Sequence, residues 1–336
     1  MIRLRRLVFC GVLFGGLVPS AQAFVLLERD DQPVNTVEEA INTAARWSYE
    51  PGSVTEGVRG LDEGLEVAIA TDFCERLVPQ FRDPYPPDCN QVKTALKVAL
   101  NQWAEEHPVL KFVDVSGTIT PALPPPNHPE PWQGFGAELD FFVLNGQEYP
   151  AVSEAGGYTS YWSVNKPPRL TNGQKTEGGN TINSADIILN AETCFFFNAQ
   201  QPIPDCNHFQ SLVLHEVGHA LGLGHPDELP ERNLDTDLSP ATAIAIDCEQ
   251  PALGLQASQS LDPNAAMNGY AGRPAPILRL TEDDRGGLNF LYPPCTPARK
   301  KIPLWLWAVS LLAGMILVVG SLLFLLSQRP QKVKPR

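Results

Sequence analysis

Apolar positions recur along this chain in distinct rhythms, and each rhythm predicts a different element. From Gln91 to Glu106, Val92, Leu96, Val98, Ala99, Leu100 and Trp103 follow helical spacing, which predicts a packed helix. Leu65 to Thr71 is a short β-type run, and Leu110 to Val115 alternates as a strand does. Leu139 to Leu144 and Thr181 to Asn190 read as further strands, and a second packed helix starts near His208. Thr36-Val37-Glu38-Glu39 has the form of a capping box opening a short helix through Trp47; the rest of residues 24–60 shows no clear pattern. Pro121 to Pro131 holds six prolines in eleven residues and predicts an exposed loop. Gly156 to Gly179 is rich in Gly, Asn and Ser and reads as a long irregular connection. No internal repeat is visible. The order of strand, helix, strands and helix predicts an α+β domain rather than an alternating parallel one.

The two ends carry the longest apolar runs. Arg3, Arg5 and Arg6, then Leu7 to Val18, then Ala21-Gln22-Ala23 have the form of a secretory signal cleaved after residue 23. Ile302 to Gln328 holds no charged residue over 27 positions. At about 1.5 Å per residue such a helix crosses a hydrocarbon core of about 30 Å. Trp305 and Trp307 sit near its start, where aromatic residues favour the membrane interface. These runs predict a single-pass protein of the cell membrane: residues 24–60 of uncertain structure, a domain over 61–293, a linker at 294–301, a membrane helix at 302–328 and a basic cytoplasmic tail at 329–336. The signal places the domain on the extracytoplasmic side, periplasmic or extracellular.

Charge and cysteine agree with export. Three of the 25 Lys and Arg fall before residue 24 and seven after residue 298, and neither end holds Asp or Glu. The segment between therefore sets 15 basic side chains against 38 acidic ones. That field excludes nucleic acid as a partner and suits basic substrates. Calcium is the other cation it would attract, although no motif supports a calcium site. Beyond Cys10, six cysteines remain, an even number that suggests three disulfides. Of the 15 pairings six cysteines allow, proximity favours Cys74–Cys89 and Cys194–Cys206, leaving Cys248–Cys295.

The chemistry is concentrated in residues 215–225, His-Glu-Val-Gly-His-Ala-Leu-Gly-Leu-Gly-His. His215 and His219 lie one turn apart on one helix face, so a zinc ion can take two nitrogen ligands at about 2.0–2.1 Å. Glu216 follows the first ligand and would reach the zinc-bound water rather than the metal. Gly222 supplies a helix break that returns His225 as third ligand. Three histidines leave a fourth position open, the catalytic arrangement. Half of the chain's six histidines fall in this run.

The string resembles the metzincin signature HExxHxxGxxH, and its surroundings resemble the matrixin branch over roughly residues 61–293. The closing segment Leu280-Thr281-Glu282-Asp283-Asp284-Arg285-Gly286-Gly287-Leu288-Asn289-Phe290-Leu291-Tyr292 is similar to the last matrixin helix. The resemblance implies a twisted mixed sheet packed on the zinc-binding helix and a second helix, with a small C-terminal subdomain. It also implies a methionine turn beneath the metal at Met267, the one methionine between the two ends. The strand Ser184–Asn190, before the zinc helix, corresponds to the metzincin substrate edge. There Ala185, Asp186, Ile187 and Ile188 would pair with an extended peptide, Asp186 favouring basic substrate residues.

Two departures qualify the resemblance. Forty-one residues separate His225 from Met267, so residues 226–262 form an insertion. Residues 24–60 contain no cysteine, so no thiolate is available to silence the zinc. His107, His128 and His208 are scattered and read as surface or capping histidines, and Tyr270 does not stand at the spacing of a metal-proximal tyrosine. The expected activity is zinc-dependent endopeptidase action on a protein or peptide substrate, with Glu216 as general base. The competing reading is a non-catalytic zinc-containing surface binding protein on the same fold. An intact Glu216 opposes it, because a binding module needs no base.

Overall fold

The computed structural model describes residues 23–27, 36, 39, 42–50, 60–123, 136–176, 178–228, 232–235, 256–257, 261–269 and 276–294. The expected signal (save Ala23), membrane helix and tail lie outside these residues, as do Cys248, Cys295, His128, Tyr270 and most of the 226–262 insertion. Among the described residues no helix is long and apolar enough to cross a membrane.

The strands are β1 (Val25–Leu26), β2 (Ala45–Arg46), β3 (Leu65–Ile69), β4 (Phe112–Asp114), β5 (Leu139–Leu144), β6 (Gly157–Val164), β7 (Asn180–Asn190), β8 (Phe195–Phe196), β9 (Asn207–His208), β10 (Leu223–Gly224), β11 (Leu234–Asp235) and β12 (Gln256–Ala257). The helices are α1 (Gly60–Glu63), α2 (Phe73–Leu77), α3 (Cys89–Glu105), α4 (Phe209–Ala220) and α5 (Glu282–Leu291). The fold is mixed α+β. Its main sheet has six strands in the order β2-β7-β5-β3-β4, with β6 also on β7. Only β6 runs antiparallel to its neighbour, so the sheet is more parallel than the element order suggested. Parallel neighbours need a long crossover, and the β3-to-β4 connection carries α3.

Most rhythms become the expected elements within two residues. Asp88 and Gln91 close a reciprocal capping box at the start of α3, whose Val92, Leu96, Ala99, Leu100 and Trp103 are buried. Val98, at helical spacing with them, is exposed. Two regions differ. Thr36 and Glu39 do form their capping box, but Asn42 and Thr43 are the last helical residues. Ala45 and Arg46 instead pair with Asn180 and Thr181, which lets Trp47 bury. Tertiary packing overrides the local helix signal. The second difference is β6, inside the stretch expected to be irregular. Its Tyr-Thr-Ser-Tyr-Trp run is β-prone despite the flanking Gly and Asn.

The main core lies between one face of the sheet and helices α3 and α4. Ala185, Ile187 and Leu189 of β7 enter it, whereas Ile188 packs with Phe142 and Val152 on the other face. Trp103 of α3 donates its indole N–H to the Leu214 carbonyl of α4 (2.9 Å). Disulfides Cys74–Cys89 and Cys194–Cys206 form as proximity suggested. Loops of this size contribute about 3 kcal/mol each. The first staples α2 to α3, and the second closes the loop leading into α4.

Candidate metal centre

The helix that carries the motif is fixed at both ends. At its start His208 is the N-cap: its Nδ1 accepts from the Ser211 backbone N–H (3.2 Å). At its end two carbonyls receive side-chain donors from distant segments. Trp47 Nε1 donates to Ala220 O (2.9 Å) and the Tyr292 hydroxyl to Leu221 O (2.7 Å). The Leu-Tyr that ends the closing segment therefore caps the motif helix. The chain then turns at Gly222, where φ is +101° and a Cβ would meet Ala45 O at 2.3 Å. Only glycine fits there. Beyond the turn, β10 pairs antiparallel with β1, Val25 to Gly224 and Leu26 to Leu223. The N-terminal segment thus holds the loop that delivers His225.

His215, His219 and His225 converge, their ligand atoms all within 4.8 Å of one another. The three Nε2 atoms form a triangle with edges of 3.0, 2.8 and 2.9 Å. Each Nδ1 is already committed: His215 to Ala266 O, His219 to Leu223 O and His225 to a Glu228 carboxylate oxygen, all at 2.7 Å. Carbonyl and carboxylate oxygens only accept, so each Nδ1 donates, and the three Nε2 atoms are left turned towards one another. Three imidazole nitrogens so close together form a set that a cation could hold. Burial, and next the neighbouring His225, push His219 down to about 3. The set fits one divalent ion with imidazole ligands at about 2.0–2.1 Å, zinc among them.

Glu216 points from the same helix towards β6 and is buried. Burial raises its carboxyl to about 7, against the opposing hydrogen bond from Thr159. Met267 lies under α4, packed so closely that a Cβ on Gly218 would fall 2.1 Å from its sulfur. Its turn is held by Asp284 of α5, whose two oxygens accept from the Ala266 and Met267 backbone N–H groups (2.9 and 3.0 Å). Since Ala266 O in turn receives His215 Nδ1–H, one chain of bonds runs from α5 through the methionine segment to His215. Asp284 also completes the capping box with Thr281.

The expected substrate edge is not an edge. Ala185, Asp186, Ile187 and Ile188 pair with Leu139 to Phe142 of β5 on one side and with Tyr161 to Tyr158 of β6 on the other. With both sides of its backbone bonded, β7 has no free groups for a peptide. The outer strand is β6. Asp186 cannot favour basic substrate residues either. It is buried opposite Asp140, both its oxygens lack a hydrogen-bond partner, and burial raises its carboxyl well above the usual range, with repulsion from Asp140 adding to it. Glu228, Thr159 and the N-terminal strand have no local signal in the sequence. Asp284, as part of the closing helix, has one.

No protein-family model matches the chain, and no curated protein does. Among solved structures, a GM1-bound form of the ECX AB5 holotoxin aligns at 12% identity and TM-score 0.34, covering 80% of this chain and 88% of that one. The structure of Myroilysin aligns at 14% identity and TM-score 0.28, covering 68% of this chain and 80% of that one. Neither likeness is close enough to bear on fold or function.

Proposed function

We propose that this protein is a zinc-dependent endopeptidase of matrixin-like metzincin type. The observation that carries the proposal is the triangle of three converging Nε2 atoms with Glu216 adjoining it in the same helix. Zinc held by His215, His219 and His225 would supply a water of lowered pKa and polarise a scissile carbonyl. Glu216 takes a proton from the attacking water and passes it to the leaving amine. The turn at Gly222, the placement of Met267 beneath the helix and the closing helix that ends in Tyr292 support the metzincin reading. An extended peptide would add to the outer side of β6. The charge-free run 302–328 and the signal-like start support an anchored domain on the extracytoplasmic side.

Purified full-length protein should hold one zinc per chain and cleave members of a diverse peptide library. Glu216→Gln should keep the zinc and lower kcat roughly 10²- to 10⁴-fold. Cleavage that survives unchanged in that variant, or in chelator, would sink the proposal. Stoichiometric zinc with no cleavage of any peptide would favour a binding protein instead.

A further inference from the structure

We propose that Thr159, on the outer strand β6, is a positioning residue that sets the carboxylate of Glu216 for proton transfer. The proposal rests on the endopeptidase reading and adds to it a residue from a different element, 57 positions from the glutamate in sequence. The Thr159 hydroxyl lies 2.7 Å from Glu216 Oε2 and 3.0 Å from the Glu216 backbone oxygen. It has one proton and two acceptors within reach, and both acceptors belong to the same residue. Whichever it donates to, it ties β6 to Glu216.

The strand is built to make this contact. Side chains alternate along β6, so Thr159 faces α4 while Tyr158 turns outwards and is 39% exposed. Gly157, two residues earlier on the inner face, leaves space for the carboxylate: a Cβ there would come within 2.9 Å of Glu216 Oε1. The two residues thus hold the carboxylate between them, one by a hydrogen bond and one by the absence of a side chain. Register is continuous with β7 from Gly157 to Trp162, and the irregularity comes only between Trp162 and Ser163. The β-branched threonine also has few rotamers, so the strand fixes where its hydroxyl points. A glutamate has three side-chain torsions, and a general base must stand within about 2.6–3.2 Å of the proton it takes. In a buried site one such bond decides which orientation is occupied.

Full-length protein loaded with zinc provides the test, with Thr159→Val as the near-isosteric loss of the hydroxyl and Thr159→Ser as its conservative return. The valine variant should lose kcat roughly 10- to 100-fold, with KM changed less than about threefold. The serine variant should recover most of the loss. Zinc stoichiometry and affinity should stay at the wild-type value in both, since the hydroxyl touches none of the three histidines. A second measurement needs no turnover: the carboxylate stretch of Glu216, isolated by subtracting the infrared spectrum of Glu216→Gln, should shift in the valine variant and return in the serine one. An unmoved band, an undiminished kcat, or a loss matched by loss of zinc would overturn the positioning role. If the wild type cleaves no peptide, the endopeptidase reading fails, and the infrared shift still decides whether Thr159 holds Glu216.

Discussion

Five of the six histidines are among the described residues, and they fall into two groups wired in opposite ways. In His215, His219 and His225 one nitrogen is spent on a protein acceptor and the other faces two identical neighbours. In His107 and His208 both nitrogens are spent on the protein. His107 Nε2 donates to Tyr292 O, while its Nδ1 accepts from the backbone N–H groups of Val109 and Leu110 (3.2 and 3.1 Å). His208 accepts at Nδ1 from Ser211 and contacts Phe197 O through Nε2 (3.2 Å). Both are buried, so neither is the surface histidine that scattering in the sequence suggested, though His208 is a cap. The contrast teaches that an imidazole's role lies in what its second nitrogen faces. A metal could be held only where three second nitrogens turn on one another.

The comparison breaks most sharply on substitution across the two groups. His219→Ala removes one of three convergent nitrogens, and zinc affinity should fall on the order of a hundredfold or more. In the metal-free protein it should cost less than the loss of His107, because it leaves one acceptor, Leu223 O, without its donor and no backbone donor without an acceptor. His107→Ala should do the reverse. It leaves two buried backbone donors without their acceptor, at about 1–3 kcal/mol, and zinc affinity should hold. Isothermal titration with zinc and thermal unfolding in chelator separate the two outcomes. Equal loss of zinc in both variants would show the grouping to be wrong.

The convergence of the triad was legible because its histidines fall in eleven residues whose spacing is set by one helix turn and one glycine. Gly222, Met267 and the α3 and β5 runs were legible for the same reason: short-range periodicity or a residue with special backbone freedom marks them. Their partners were not. Ala266 O and Leu223 O are backbone atoms with no side-chain signature, and Thr159 reaches Glu216 from a strand hidden in a Gly- and Asn-rich stretch. The error over β7 has a similar origin. Whether a strand is central or outermost depends on neighbours contributed by residues far away, and eleven buried positions with several polar side chains read much like a half-exposed edge. Residues 24–27 show no pattern because the role of Val25 and Leu26, pairing with β10, is defined only by the loop they hold.

Within the triad the three second contacts are unequal, and this permits a finer test. His215 and His219 give their Nδ1 protons to carbonyls, but His225 gives its proton to Glu228, whose side chain is 60% exposed. A solvated carboxylate is screened by salt, so its hold on the third ligand should be the weakest. Glu228→Gln keeps an acceptor and removes the charge. Zinc affinity should drop about tenfold at low ionic strength, and the deficit should shrink as salt is raised. A deficit independent of salt would mean that Glu228 acts by shape rather than by charge.

The smallest effect concerns His208 and appears only on acidification. Burial holds its pKa below 6.5, against the Phe197 carbonyl contact and Asp83, which raise it. In the unfolded chain the same imidazole takes its proton near pH 6.5. Between 6.5 and the lower folded value the unfolded state therefore binds more protons, so stability is full above 6.5 and falls as pH drops. The slope from one such group cannot exceed about 1.4 kcal/mol per pH unit. A protonated His208 would also turn its Nδ1 from acceptor to donor, facing the Ser211 N–H at a helix start where positive charge is disfavoured. Asparagine is a good N-cap and does not titrate. Chemical denaturation at pH 8 should find His208→Asn within about 1 kcal/mol of the wild type, and from pH 6.5 to 5 the variant should lose less stability. His107, also held below its ordinary value by burial, retains its own share of the acid sensitivity in both proteins. Parallel stability curves for the two proteins over that range would show that the cap of the motif helix does not depend on a neutral imidazole.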